Sequence, residues 1–236
     1  LEIKVKNLKE AFVYLEKFLK INLSSRTKKL LSDFYQFLIA ENKKINLTRL
    51  DNQEKFANFH FLDTAFLYFT LKNFCQATKY LNKFNYLDVG SGAGIPGLLL
   101  YLIDLDQEIN KKIFSKITLA ESIQKKVSFL EKAKSKFVDS GLENTFKLEI
   151  YGQRAENLLQ SFDLVTARAV YKPLKALELT RLLARGQFYV AQLTEDFSEN
   201  QIYQEKLKQY QAQVVEKFSY QISQKKRIIK IIQAGN

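Results

Sequence analysis

Ten consecutive residues constrain this chain more than any other stretch. Asp88-Val89-Gly90-Ser91-Gly92-Ala93-Gly94-Ile95-Pro96-Gly97 holds four of the 8 glycines and one of the 2 prolines in 236 residues. It joins a β-rich apolar run at 84–89 to an apolar run of helical character at 96–103. Glycine tolerates positive φ and lets backbone approach a ligand closely, and proline suits the first turn of a helix. A plain strand-to-helix turn rarely needs so many glycines, so the segment reads as a ligand-binding loop. The spacing is G-x-G-x-G, unlike the G-x-G-x-x-G of dinucleotide folds, whose third glycine permits close helix packing. That difference favours S-adenosylmethionine over NAD.

The hydrophobic period changes just before this loop. Leu8, Ala11, Phe12, Leu15, Phe18 and Leu19 recur at helical spacing, as do Leu30, Leu31, Phe34, Phe37 and Leu38, with Ser24-Ser25 as N-cap candidates. A third run at 53–71 is apolar on more than one face and predicts a buried helix. From residue 84 strands and helices alternate: strands at 84–89, 116–120, 146–150, 162–166 and 187–191, helices at 96–103, 123–138, 174–183 and 198–209, and two last strands at 214–220 and 227–232. Such alternation predicts an α/β fold with a doubly wound, mostly parallel sheet, and the two consecutive final strands predict an antiparallel hairpin at one sheet edge. Residues 1–83 are therefore expected as a small helical region and 84–236 as the sheet domain.

Composition narrows the chemistry. Cys75 cannot form an internal disulfide, and with a lone His it cannot complete a four-ligand zinc cage, so no metal is expected. Cys75 reads as a small buried residue. The most apolar stretch, 86–105, carries Asp88, Asp104, four glycines and a proline, which no bilayer helix would hold. The first residues lack the apolar core of a leader, so a cytoplasmic protein is expected. Net charge is +12, and residues 1–83 carry 15 Lys and Arg against 8 Asp and Glu. A polyanion such as RNA is the partner this implies, with Lys43, Lys44, Arg49, Lys125, Lys126 and Arg154 as contact candidates.

Doubly wound sheets bind ligands beyond the carboxyl ends of their strands. Glu121, directly after the second strand, is placed to accept both hydroxyls of a ribose; Ala155-Glu156 after the third could read an adenine, although taken alone Glu156 reads rather as an ordinary helix cap. Arg168, after the fourth, could hold a phosphate, a base edge or the cofactor carboxylate. Asn46 and the pair His60 and Asp63, three apart on one helix face, either shape the pocket or, for the pair, satisfy each other in the core, and the residues alone favour the second. Exocyclic amino methylation commonly uses an Asn/Asp-Pro-Pro-aromatic loop, which two prolines at 96 and 173 cannot supply. Pyrimidine carbon methylation uses a cysteine nucleophile, and Cys75 lies upstream of the loop. Guanine N7 presents a free lone pair and needs no base.

Together these residues resemble the bacterial ribosomal RNA small subunit methyltransferase G family, also called glucose-inhibited division protein B. The resemblance runs from about residue 8 to the end and rests on Asn46-Leu47-Thr48; His60-Phe61-Leu62-Asp63; the loop from Asp88 to Gly97; Glu121-Ser122 with Lys125-Lys126-Val127-Ser128-Phe129-Leu130; and Arg168-Ala169. It implies a Rossmann-like class I methyltransferase that moves a methyl from S-adenosylmethionine to a guanine N7 in 16S ribosomal RNA, free or in the small subunit, releasing S-adenosylhomocysteine. By the same implication Gly90, Ile95, Ala155, Glu156 and Arg168 meet the cofactor or its edge; Asp88, Gly92, Gly94 and Glu121 are expected there too, no side chain is expected as an obligatory base, and a monomer is expected. Glu121 replaces the family's usual Asp, Gln124 a common Gly and Ala167 a common Ser. After the fifth strand Ala191-Gln192-Leu193 stands where the family usually has Lys-Gly. A non-catalytic RNA-binding protein and a small-molecule methyltransferase are the competing readings.

Overall fold

A computed structural model describes residues 2–49, 52–78, 83–139, 147–168, 173–184, 188–194 and 200–233. The sheet is built from β1 (Glu2–Ile3), β2 (Phe84–Val89), β3 (Phe114–Ala120), β4 (Lys147–Tyr151), β5 (Leu164–Thr166), β6 (Phe188–Thr194), β7 (Gln213–Ile222) and β8 (Lys225–Gln233). Their spatial order is β1-β7-β8-β6-β5-β2-β3-β4. Pairs β2–β3, β3–β4, β2–β5 and β5–β6 are parallel, whereas β8 runs antiparallel to both β6 and β7. This is the Rossmann-like doubly wound sheet expected, with β2 and β5 flanking the point where strand order reverses.

β2 shows why its sequence reads as a continuous apolar run. Phe84 and Tyr86 enter the core on one face, Leu87 and Val89 the core on the other, because a parallel strand is buried on both sides. The first core takes α1 (Leu8–Tyr14), α2 (Ser25–Ile45), α4 (Asp63–Thr78), α5 (Gly97–Leu105) and α6 (Gln124–Phe137). Leu177 and Leu183 of α7 (Pro173–Ala184) and Tyr203 and Leu207 of α8 (Gln201–Gln209) cover the opposite face.

Two differences from the sequence reading concern the edges. The final hairpin is present, but β1 pairs parallel to β7 outside it, so the hairpin does not end the sheet. A two-residue strand carries no period of its own. Residues 1–83 therefore include a strand, and their buried side chains share one core with the sheet, from Leu8 through Phe66 to Ile229. Cys75 is half-buried. The start of the expected helix at 198–209 and the first residue of the expected strand at 146–150 lie outside the described residues.

Three helical segments set the N-terminal side of the site. Ser24 caps α2, its hydroxyl accepting from the Thr27 amide at 3.2 Å, as expected. α2 stops at Asn46, which adopts the left-handed conformation at φ 51. The short helix α3 (Gln53–Phe56) then widens into a π-helical turn, Ala57–Leu62, before α4. Such turns re-aim side chains, here Phe59 and His60.

Candidate active site

The loop after β2 is tied to β3 at its start. The Gly90 and Ser91 amides donate to the Ala120 carbonyl at 2.8 and 3.0 Å, and Gly90, Gly92 and Gly94 all have positive φ, at 68, 54 and 75. A Cβ at these positions would strain the backbone. Pro96 sits at the N-cap of α5, one residue ahead of the helix that it was expected to open. Gly97 is glycine for a different reason: a Cβ there would collide with Leu119 and stand 2.9 Å from Asp88 Oδ2.

Asp88 fastens this turn from beneath. Its Oδ2 accepts from the Gly97 amide at 3.0 Å and its Oδ1 from the Thr166 hydroxyl at 3.2 Å, and that hydroxyl lies 2.6 Å from Tyr86 Oη. Asp88 is 1% exposed, and burial pushes its carboxyl up to about 6 despite these donors. Asp88 and Gly94, both expected at the cofactor, instead stand behind the loop. Asp88 orders the backbone, and Gly94 packs against Leu98 and Leu130.

The loop borders a cavity of about 510 Å³ at the carboxyl ends of β2, β3 and β5. That volume lies within the range of small-molecule sites. Gly90, Gly92 and Ile95 line it, as do Glu121, Lys126, Arg154, Ala155, Glu156 and Arg168, all anticipated from sequence. Leu47, Thr48 and His60 from the helical segments complete the lining.

Glu121 is engaged before any ligand arrives. Its Oε2 accepts from the Gly92 amide at 3.1 Å and its Oε1 from the Ile123 amide at 2.9 Å, so one carboxylate spans the glycine loop and the start of α6. Each carboxylate oxygen can accept a second hydrogen bond, which leaves capacity for a pair of hydroxyls. Gln124, where the family commonly has Gly, donates to the Gly152 carbonyl at 3.2 Å and ties α6 to the turn after β4.

His60 and Asp63 do not satisfy each other. His60 Nε2 lies 2.8 Å from the Thr48 hydroxyl, whereas Asp63, 2% exposed, accepts from Arg168 Nη2 at 2.9 Å and from Tyr220 Oη at 3.0 Å. Arg168 Nη2 also donates to the Phe59 carbonyl. Burial, together with the Arg168 charge, holds the His60 imidazole well below its ordinary 6.5. Asp63 lies behind the cavity wall and Asn46 outside it. Asn46 ends α2, and Asn42, unremarked in the sequence, does the holding: its side chain accepts from the Thr48 amide at 2.8 Å and donates to the Thr48 carbonyl at 2.9 Å.

The charged candidates divide. Lys126 and Arg154 line the cavity, whereas Lys43, Arg49 and Lys125 are exposed and apart from its lining. Lys44 is paired with Glu41 at 2.6 Å, which also faces Lys132 at 3.6 Å, so part of that charge is already answered. Gln192, which stands in place of the family's lysine, donates to the Asp63 backbone carbonyl at 3.3 Å.

A family model for rRNA small subunit methyltransferase G matches residues 27–230, from α2 to β8. The chain belongs to that family. The methyltransferase G of Malacoplasma penetrans is 35% identical over 179 residues, covering 74% of this chain and 67% of that one. The methyltransferase G of Clostridium perfringens is 32% identical over 137 residues, covering 58% of this chain. The match spans 51% of the Clostridium perfringens protein, about half its length. In fold, a crystal structure of a candidate RNA methyltransferase from Pyrococcus horikoshii aligns with a TM-score of 0.50 at 13% identity, covering 87% of this chain and 100% of that one. Of the residues that carried the resemblance, most of the loop, Glu121 and Arg168 line one cavity, and Leu47, Thr48 and His60 close its helical side, while Ala169 lies outside the described residues. Among the described residues no helix is long and apolar enough to cross a membrane, and no His, Cys, Asp and Glu cluster suits a metal.

Proposed function

We propose that this chain transfers the methyl group of S-adenosylmethionine to N7 of a guanine in 16S ribosomal RNA, free or within the small subunit, in the cytoplasm. One observation carries the reading: the glycine loop and Glu121 share a cavity with Thr48, His60 and Arg168, and with the cations Lys126 and Arg154.

The donor set fits the cofactor. Glu121 offers a buried carboxylate with unused lone pairs to the ribose hydroxyls, and Ala155 and Glu156 offer a backbone amide and a carboxylate to an adenine. Positive-φ Gly90 and Gly92 keep side chains out of the space over the loop. Once bound, S-adenosylmethionine supplies a methyl already activated on a cationic sulfonium.

The protein's part is then positioning. Asp63 and the Phe59 carbonyl hold the Arg168 guanidinium on the cavity wall, ready for the cofactor carboxylate or an RNA phosphate. His60 stays neutral at working pH, and guanine N7 needs no proton removed, so neither His60 nor Asp63 acts as a base. Binding and alignment supply the rate. Lys126 and Arg154 draw the RNA backbone to the cavity mouth.

Incubation of the protein and S-adenosylmethionine with unmethylated 16S RNA, and separately with small subunits, followed by nucleoside mass spectrometry, tests this reading. New 7-methylguanosine in either arm supports it. A different methylated nucleoside assigns another acceptor atom, and tight RNA binding without transfer establishes the non-catalytic alternative.

A further inference from the structure

Guanine and adenine present the same lone pair at N7. What tells them apart beside it is a carbonyl oxygen, O6, in guanine and an amino group, N6, in adenine. A site that only aligned N7 with the methyl group would take either base. Selection requires a hydrogen-bond donor in the wall next to the reacting nitrogen, which O6 answers and N6 opposes. Transfer also leaves a positive charge on the base, so an uncharged donor suits this place better than a lysine or an arginine.

His60 has these properties. It lines the cavity together with Thr48 and Arg168. Burial and the Arg168 charge keep its imidazole neutral, and a neutral imidazole has one donor nitrogen and one acceptor. Nε2 lies 2.8 Å from the Thr48 hydroxyl, whereas Nδ1 is buried and meets no hydrogen-bond partner. The ring is also firmly held. Asn42 clasps the Thr48 backbone through bonds of 2.8 Å from its amide and 2.9 Å to its carbonyl, and so fixes the residue that meets Nε2. Phe56, fully buried, meets the imidazole edge-on with centroids 5.8 Å apart. Three side chains thus orient a histidine that removes no proton in the proposed reaction.

We propose that His60 selects guanine as the methyl acceptor: the Thr48 hydroxyl donates to Nε2, and Nδ1 donates its proton in a hydrogen bond to guanine O6. The proposal rests on the guanine N7 reading above and adds to it the group that rejects adenine. An unmet buried donor costs free energy in the empty protein, and the guanine oxygen meets it. Adenine would set its amino hydrogens against the same N–H. Asn42, Thr48 and Phe56 act through the ring and are positioning residues.

Replacing the methylated guanine, once mass spectrometry has located it, by 2-aminopurine keeps N7 and removes O6. Single-turnover transfer to guanine RNA and to 2-aminopurine RNA is compared in the unaltered full chain and in His60→Phe, with free 16S RNA or reconstituted subunits, whichever accepts the methyl group. The intrinsic reactivities of the two bases cancel between proteins, so the change in the ratio of the two rates reports the residue. His60→Phe is expected to lower that ratio roughly tenfold, the worth of one hydrogen bond. A merely structural role for His60 slows both substrates alike, and an unchanged ratio overturns the proposal. Where His60→Phe does not fold, Thr48→Val is read in the same way, a lowered ratio supporting the proposal and an unchanged one overturning it. If the unaltered protein forms no 7-methylguanosine, the guanine reading itself fails and the proposal falls with it.

Discussion

Arg168 and Asp63 stand 105 residues apart in the chain and 2.9 Å apart in the fold. Arg168 follows β5 at the end of the sheet, Asp63 opens α4, and Tyr220 of the hairpin donates to the same carboxylate. One buried acid thus joins the helical segments, the central sheet and the final hairpin behind the cavity. Substitution of Asp63 by Asn should lower stability by about 1.5–3 kcal/mol, as expected for hydrogen bonds to a charged group. It should also slow single-turnover methyl transfer at saturating S-adenosylmethionine and RNA, because Arg168 loses its bearing. Tyr220→Phe should follow in the same direction with a smaller loss. Urea unfolding and quench-flow rates check both, and a destabilised Asp63→Asn with an unchanged rate would remove Asp63 from positioning.

Glu121 has two duties, one to the loop and one proposed to the ribose. Glu121→Ala should weaken S-adenosylmethionine binding by about 1–3 kcal/mol, and Gly90→Asp, which adds a side chain and a charge at positive φ, should abolish it. Calorimetry reads both. Affinities equal to the unaltered protein in both variants would move the cofactor elsewhere.

Two buried groups set different pH responses. Asp88 rises from its ordinary 3.8 to about 6 on folding, so the native state holds its proton more tightly than the unfolded chain. Its contribution is therefore full below 3.8 and lost as pH rises through 6, a loss of about 3 kcal/mol. Asn at position 88 can still accept from Gly97 and carries no such term, so the stability of Asp88→Asn relative to the unaltered protein should climb between pH 4 and 7. His60 is the opposite case: held well below 6.5, it costs stability only as pH falls below that value, when the unfolded chain takes the proton. With His60 neutral, single-turnover rates should be flat from about pH 6 to 9. A log-linear rise with pH that vanishes in His60→Gln would establish a base after all.

Gly97 tests the turn without touching the cavity lining. Its missing Cβ makes room for Leu119 and Asp88 in a packed core, so Gly97→Ala should cost about 1–3 kcal/mol in urea unfolding. An unchanged midpoint would mean that the turn relaxes at no cost.

RNA affinity should fall steeply with salt, and removal of Lys126 or Arg154 should each reduce the log-log slope by roughly one. Neutralising Lys44 should reduce it less, because Glu41 already faces that ammonium at 2.6 Å. Equal slopes in all three variants would place the RNA away from the cavity. Cofactor affinity should not depend on Lys44.

Wherever the pattern is local, the sequence alone determined the result. Short β-rich runs set against helical spacing located the strands around the glycine loop, and β2 begins and ends where its apolar run does, at Phe84 and Val89. Glycines, a proline and an acid after the next strand sufficed to indicate a ligand loop, since backbone freedom and charge are properties of single residues. Pairings between distant segments were decided by tertiary structure. His60 and Asp63 share a turn, which pairs them by spacing alone, yet Thr48 and Arg168 claim them, because a π-helical turn and the end of β5 converge there. β1 gained its place only from the open edge of β7. Asp88, expected at the cofactor with the rest of the glycine loop, is turned toward Gly97 instead by side-chain direction on a pleated strand. Tyr220 and Asn42 left no local signal at all: each acts through one hydrogen-bonding group, and what that group meets depends on how the chain is folded over it.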